Sequence, residues 1–339
     1  MNLLLYAIKR ILLLVPVLFG VIVIAFFLSR VVPSDPVKFA AGPNATDEMI
    51  ERLRDDFGTN LPISKQFIRY VGGIFQGDFG RSFSTRRPVS EDLKRFFPAT
   101  LELVIAALIL GQIIGIPLGI VSARYQGRWP DHLSRIFALG AISLPGFWLA
   151  MLLQLVAFTL FAGLMPYTGR FDMNLILPET ITGLLLVDTL LVGDLTGFVV
   201  ALKHLFFPAL ALSALAIATS ARMSRAAMVD AMERDFVLTA RAIGLPHRII
   251  LYRDAFRFAM VPVLTMIGLE FSWLMAGSVL VETIFTWPGL GWYLVEASLQ
   301  LDYNPIIGTM VLLGLATGIA NIIVDVSYAV VDPRIRIGS

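Results

Sequence analysis

Glu270 and Asp325 make the strongest chemical demands on their surroundings, because each is an ionisable group set deep in an apolar run. Asn321, Asp325, Tyr328 and Asp332 recur at i, i+4, i+7 and i+11, which is one face of a helix. Ionisable groups inside a membrane are functional candidates, either lining a translocation path or carrying a proton; they also occur as bonded stripes between helices. Both readings stand for Glu270, Asn321 and Asp325. Glu102, near the entrance of a span, can be solvated there and is discounted. The chain has no cysteine, so disulfides, thiolate metal sites and a cysteine nucleophile are excluded. His132, His204 and His247 do not stand at metal-ligand spacing. Neither G-x-x-x-x-G-K-[ST], G-x-S-x-G nor H-E-x-x-H occurs, so no phosphate cradle or nucleophile–base pair is written in the sequence.

The elements holding these residues follow from composition. The chain of 339 residues is 57% hydrophobic and 15% charged, against about 45–50% and about 25% in a soluble domain. Its apolar residues gather in runs of roughly 20, enough to cross about 30 Å of hydrocarbon. The net charge of +2 gives no reason to expect a nucleic-acid partner. An all-α integral membrane protein with six transmembrane helices is expected, at 11–28, 99–123, 134–163, 204–221, 258–281 and 306–331. Lys9 and Arg10 precede the first, which reads as an uncleaved span.

Charge sets the orientation. Arg124, Arg128 and Arg135 mark one loop, seven arginines mark 222–257, and Arg334 and Arg336 mark the tail. Residues 165–202 set Asp172, Glu179, Asp188 and Asp194 against Arg170. The positive-inside rule then puts both termini in the cytoplasm. Segment 181–200 is apolar enough to tempt a further span, but each aspartate at a helix centre costs about 2.5–3.5 kcal/mol. A half-buried or interfacial extracytoplasmic segment is the better reading. The expected layout is a first transmembrane helix over 1–30 and an extracytoplasmic helical insertion over 31–98. A core over 99–331 contains the cytoplasmic segment 222–257, and 332–339 form a cytoplasmic tail. In the insertion, Thr46 is placed to cap a helix with Met49, Ile50, Leu53 and Phe57 on one face and Gly58 past its end. The insertion either docks a partner or covers the bundle.

Within 222–257, residues 235–243 form a helix about 13 Å long, with Asp235 in its first turn and Arg241 in its last, both favourable to the helix dipole. Gly244 can take the left-handed position past its end, and Pro246 prevents continuation. Phe236, Ala240 and Ile243 share a face, for a partner protein or for lipid headgroups. Elsewhere Gly111, Gly115 and Gly119 repeat at four-residue spacing, as do Gly314 and Gly318. Such rows let backbones approach closely, within one bundle or against a second transmembrane subunit.

The stretch "DFVLTARAIGL" (235–245), followed by "RFAMVPVLT" (257–265), resembles the cytoplasmic EAA loop of ABC-importer permeases of the dipeptide, oligopeptide and nickel type. "GDFGRSF" (77–83), "PATLEL" (98–103), "ETIFTWPGLG" (282–291) and "VDPRIR" (331–336) resemble the same family in order and spacing. Where the general loop has Glu-Ala-Ala this chain has Leu238, Thr239 and Ala240, as in the peptide-type branch. The resemblance implies the type I permease fold in a bacterial inner membrane and a role as first permease subunit. Asp235, Phe236, Thr239, Ala240, Arg241, Ala242, Ile243, Gly244 and Leu245 would form the coupling segment. Implied partners are a homologous second permease, two ABC ATPase subunits, an extracytoplasmic binding protein and membrane lipids. This chain would bind no cofactor, ATP and Mg residing on the ATPases. Di- or oligopeptides, nickel chelates, glutathione, glycosides or opines are the implied cargoes. A proton-coupled transporter using Glu270 or Asp325 is the competing expectation.

Overall fold

The computed structural model describes residues 3–31, 45–56, 60–172, 175 and 179–331. Among these the named elements are all helices: α1 Leu3–Val31, α2 Asp47–Asp56, α3 Ile63–Phe75, α4 Val89–Arg124, α5 Trp129–Ser143, α6 Gly146–Leu160, α7 Leu185–Val192, α8 Leu195–Met232, α9 Asp235–Ala242, α10 His247–Ile284, α11 Leu290–Leu299 and α12 Tyr303–Val331. Within α10, Ile250–Ala255 is a π-helical turn. Phe57, Gly58, Asp332 and the tail to 339 lie outside the described residues, as do the side chains of Asp325 and Tyr328.

Four described helices are long and apolar enough to cross a membrane: α4, α8, α10 and α12. The run expected to cross as one helix over 134–163 is instead broken into α5 and α6, bent by 101°, and counts as a fifth only if the pair is taken together. Proline explains the break. Pro145 has no N–H to donate and drives Leu144 into extended backbone (ψ 128°), and α6 restarts behind it. Helix α1, 29 residues long, contains the first expected run at 11–28. The span placed at 99 starts ten residues earlier, at Val89, and runs unbroken past Pro98 and Pro117.

Segment 181–200 is not one helix. The two aspartates that weigh against a span both accept from nearby backbone N–H groups, Asp188 from the loop before α7 and Asp194 as the cap of α8. Asp188 Oδ1 accepts from Thr182 N at 2.8 Å and Thr182 Oγ1 at 2.6 Å, and its Oδ2 accepts from Gly183 N at 3.0 Å. Burial pushes this carboxyl up, but those donors outweigh it and hold it below the ordinary value. Asp194 Oδ1 accepts from Gly197 N at 2.8 Å at the start of α8. Gly193, at φ +78°, separates α7 from α8.

The bundle is centred on α4 and α8. Leu103, Val104 and Ala107 pack with Phe207, Ala211 and Leu212, and Leu274 and Met275 of α10 close the cluster. Glycines set the α4–α8 distance. A Cβ built at Gly111 would stand 2.7 Å from Ala216 Cβ, at Gly115 2.8 Å from Ile217 O, and at Gly119 2.5 Å from Ala221 O. Gly314 and Gly318 face Leu18 and Leu14 of α1. In both rows the close neighbour is a helix of this chain.

The insertion covers one end of that bundle. Thr46 Oγ1 accepts from Met49 N at 3.4 Å at the start of α2. Phe67, Tyr70, Val71 and Ile74 of α3 pack on Ile22, Ala25, Ile307 and Val311 of α1 and α12. The loop after α3 is pinned by buried Asp302, whose Oδ2 accepts from Ser82 Oγ at 2.7 Å, Phe83 N at 2.6 Å and Ser84 N at 3.1 Å. Asp302→Ala leaves these donors without an acceptor and is expected to cost about 1–3 kcal/mol. Burial raises the Asp302 carboxyl above its ordinary value, outweighing those donors. The sign follows from linkage. A raised folded value means that the group's contribution is complete below the unfolded value and is lost as pH rises through the folded one. Thermal midpoints in detergent should therefore shift in favour of the wild type over Asp302→Asn as pH falls from neutrality; a pH-independent difference would contradict this.

Candidate functional site

The arginine-rich segment is built by local stop signals. Helix α9 ends in paired reversed bonds, Leu245 N to Ala240 O at 3.1 Å and Gly244 N to Arg241 O at 3.0 Å, with Gly244 at φ +78°. This is the Schellman closure, which a Cβ at Gly244 would strain. Pro246 then opens α10, with Ile249 N bonded to Pro246 O at 2.9 Å. Val237 and Ala240 are buried with Ile250, flanked by Met232 and Leu245. Thr239 Oγ1 bonds back to Asp235 O at 3.1 Å. Arg241 and Ala242 are exposed.

The expected shared face of Phe236, Ala240 and Ile243 is therefore divided. Ala240 points inward, where it packs with Val237 and Ile250. The Phe236 ring is tilted against that of Phe258, centroids 5.8 Å apart, and the Arg234 guanidinium lies 5.3 Å from the Phe258 centroid. The outward apolar edge is Leu238 and Ile243, 59% and 71% exposed. Periodicity within α9 groups these residues but cannot show that the start of α10 folds back over Ala240.

Deep in the bundle, Glu270 of α10 is buried, and its donors among the described residues are all neutral. Its Oε1 accepts from Thr219 Oγ1 at 2.6 Å and Ser220 Oγ at 2.8 Å, and its Oε2 accepts from Gln112 Nε2 at 2.6 Å. Three helices, α4, α8 and α10, thus meet on one carboxyl. A cavity of about 290 Å³ borders Thr219 and Glu270, walled by Phe147 past the α5–α6 bend and by Trp273. Asn321 is elsewhere. It is exposed, accepts from Ser272 Oγ at 3.4 Å and lines a separate space of about 440 Å³ with Leu13, Gly314 and Gly318. The structure does not bring Glu270 and Asn321 together, and the Asp325 side chain lies outside the described residues.

Two buried acids were passed over by sequence reasoning. Glu102, expected to be solvated, is only 7% exposed; it pairs with Arg170 at 2.6 Å and accepts from Leu186 N at 2.7 Å. Arg170 also donates to Gly183 O at 2.9 Å, so one pair ties the loop before α7 to α4. Arg170 is the lone basic residue in a stretch with four acids, but that pattern does not single out Glu102. Glu282 is fully buried and caps α11, its Oε2 accepting from Gly291 N at 2.7 Å and Trp292 N at 3.1 Å. Trp287 Nε1 donates to Ala99 O at 2.9 Å, and Leu290 N donates to Thr100 Oγ1 at 2.7 Å. The stretches "PATLEL" and "ETIFTWPGLG" are thereby one packed corner.

Comparison with known proteins agrees with this architecture. Residues 115–337 match the family model described as binding-protein-dependent transport system inner membrane component, and residues 3–104 match that of the N-terminal part of such membrane components. The chain is 43% identical over 328 residues to the probable D,D-dipeptide transport system permease protein DdpB of Escherichia coli K12, covering 96% of this chain and 95% of the relative. It is 37% identical over 329 residues to the di/tripeptide transport system permease protein DppB of Pseudomonas aeruginosa, covering 97% of each. To the glutathione transport system permease protein GsiC of Escherichia coli K12 it is 37% identical over 331 residues, covering 98% of each.

Proposed function

Since the chain belongs to the binding-protein-dependent transport system inner membrane components, we propose that it carries di- or oligopeptides across the inner membrane, driven by partner ATPases that grip residues 235–245. A permease subunit of an ABC importer is what family and relatives support, and a proton-coupled carrier is not favoured by them. The peptide cargo rests on the dipeptide and di/tripeptide names of similar permeases.

The single observation behind the coupling reading is the outward apolar edge of α9, held on a closed Gly244 turn and rooted in the start of α10. A second permease, two ATPase subunits holding ATP and Mg, and an extracytoplasmic binding protein complete the proposed machine, with both termini of this chain cytoplasmic. Closure of the ATPases on ATP would move α9, and with it α10 and the wall of the Glu270 cavity. Only contacts that differ between inward- and outward-open states can drive such a shift.

Burying Leu238 or Ile243 in an ATPase groove contributes about 1.5–3 kcal/mol each. Ile243→Asp should therefore weaken copurification of the ATPase roughly tenfold or more. Phe236→Asp should weaken it too, but also strips Phe258, so Ile243→Asp is the cleaner probe. Wild-type retention of the ATPase by Ile243→Asp would place this edge against lipid instead.

A further inference from the structure

Between α5 and α8, at the end of the bundle that carries the arginine-rich segment, lies a cavity of about 250 Å³. Arg135 of α5 and Arg222 and Arg225 of α8 line it, with Ala138, Leu139 and Ile142 as apolar wall. Helix register separates the two chemistries. Leu139 and Ile142 stand one and two turns deeper in α5 than Arg135. Among the described residues no carboxylate lines the space. Arg225 is already engaged by buried Asp131, Nε to Oδ1 at 2.6 Å, while Arg135 and Arg222 make no ion pair among the described residues. Asp131 is itself held by Ser122 Oγ at 2.6 Å and Gly127 N at 3.0 Å, which fixes Arg225 in place. One carboxylate against three guanidinium groups leaves a local excess of positive charge.

The outer surface of α5 continues the apolar wall. Leu133, Ile136 and Phe137 are 58%, 67% and 53% exposed, and Trp129, 74% exposed, stands at the helix start, where aromatic residues meet a membrane interface. A free anion would satisfy the arginines but leave Leu139 and Ile142 uncovered. A ligand with an anionic head and an apolar tail covers both.

We propose that this cavity binds an anionic phospholipid, its phosphate held by Arg135, Arg222 and Arg225 and its acyl chains lying along α5. Guanidinium groups suit phosphate because they present paired donors in a plane, and basic pockets between spans at the cytoplasmic leaflet suit anionic headgroups. The lipid would also brace the α5–α6 bend, because Ile142 lines both this cavity and the one beside Glu270.

The test uses the assembled transporter stripped of lipid in detergent, given equal phosphatidylglycerol and phosphatidylethanolamine, and read by native mass spectrometry. Wild type should retain phosphatidylglycerol about tenfold over phosphatidylethanolamine, and R135Q/R222Q should lose most of that preference. Excess inorganic phosphate should not displace the lipid. Equal retention of the two lipids by wild type overturns the proposal whether or not the variant assembles. Unchanged preference in an assembled R135Q/R222Q overturns the assignment to this cavity, and displacement by phosphate reduces the site to one for free anions.

Discussion

Gly244→Pro should abolish ATP-driven uptake, by tenfold or more, in a transporter that still contains its ATPase. Gly244 sits at φ +78°, whereas proline is locked near −65°, and proline removes the N–H that Gly244 donates to Arg241 O at 3.0 Å. The turn cannot close, at a cost of about 3 kcal/mol or more. Helix α9 would then lose its fixed angle to α10, although Leu238 and Ile243 remain to meet a partner. Force from the ATPase would be spent on reorienting α9 rather than moving the span behind it. Gly244→Ala, which keeps the N–H and suffers only the left-handed penalty of about 1–2 kcal/mol, should fall between wild type and Gly244→Pro. Parallel assays of uptake and ATP hydrolysis read the separation. Normal uptake by Gly244→Pro would remove the coupling role from this turn.

The largest effect on stability is expected at Gly119. A Cβ there would stand 2.5 Å from Ala221 O, 2.6 Å from Ser224 Cβ and 2.9 Å from Arg225 N, so two of its three nearest neighbours are backbone. Backbone of a packed helix cannot turn aside as a side chain can. Gly119→Leu must push α4 and α8 apart, at a cost of about 3 kcal/mol or more. The separation would also disturb Gln112 and Ser220, which hold Glu270 from those same two helices. Gly140→Leu is the control, since nothing lies within 4 Å of a Cβ built there. Thermal midpoints in detergent should fall steeply for Gly119→Leu and little for Gly140→Leu; equal midpoints would contradict the close α4–α8 crossing.

What the sequence made legible was local. Gly244 and Pro246 stop and restart a helix through their own backbone restrictions, so the helix–turn–helix of 235–249 could be read without knowing its neighbours. Asp188 and Asp194 weigh against one continuous helix over 181–200 by local chemistry alone, and the segment is broken at Gly193. Contacts between distant segments were illegible. Glu102 and Arg170 are 68 residues apart, and nothing in either neighbourhood names the other. The glycine rows announced close approach, but not that α8 and α1 supply the approaching surfaces. Pro145 carried its signal openly, yet the apolar residues on both sides concealed that the run turns by 101°. The packing of Ile250 on Val237 and Ala240, which leaves Leu238 and Ile243 outward, left no mark in hydrophobic periodicity.

The central claim is that this chain moves peptide only when partner ATPases drive it. Proteoliposomes holding the chain with its second permease and ATPases, supplied with binding protein and a labelled dipeptide, test it most directly. Uptake should require internal ATP and the ATPase subunits and should persist with a proton uncoupler. Uptake that proceeds without the ATPases and collapses with the uncoupler would contradict the account.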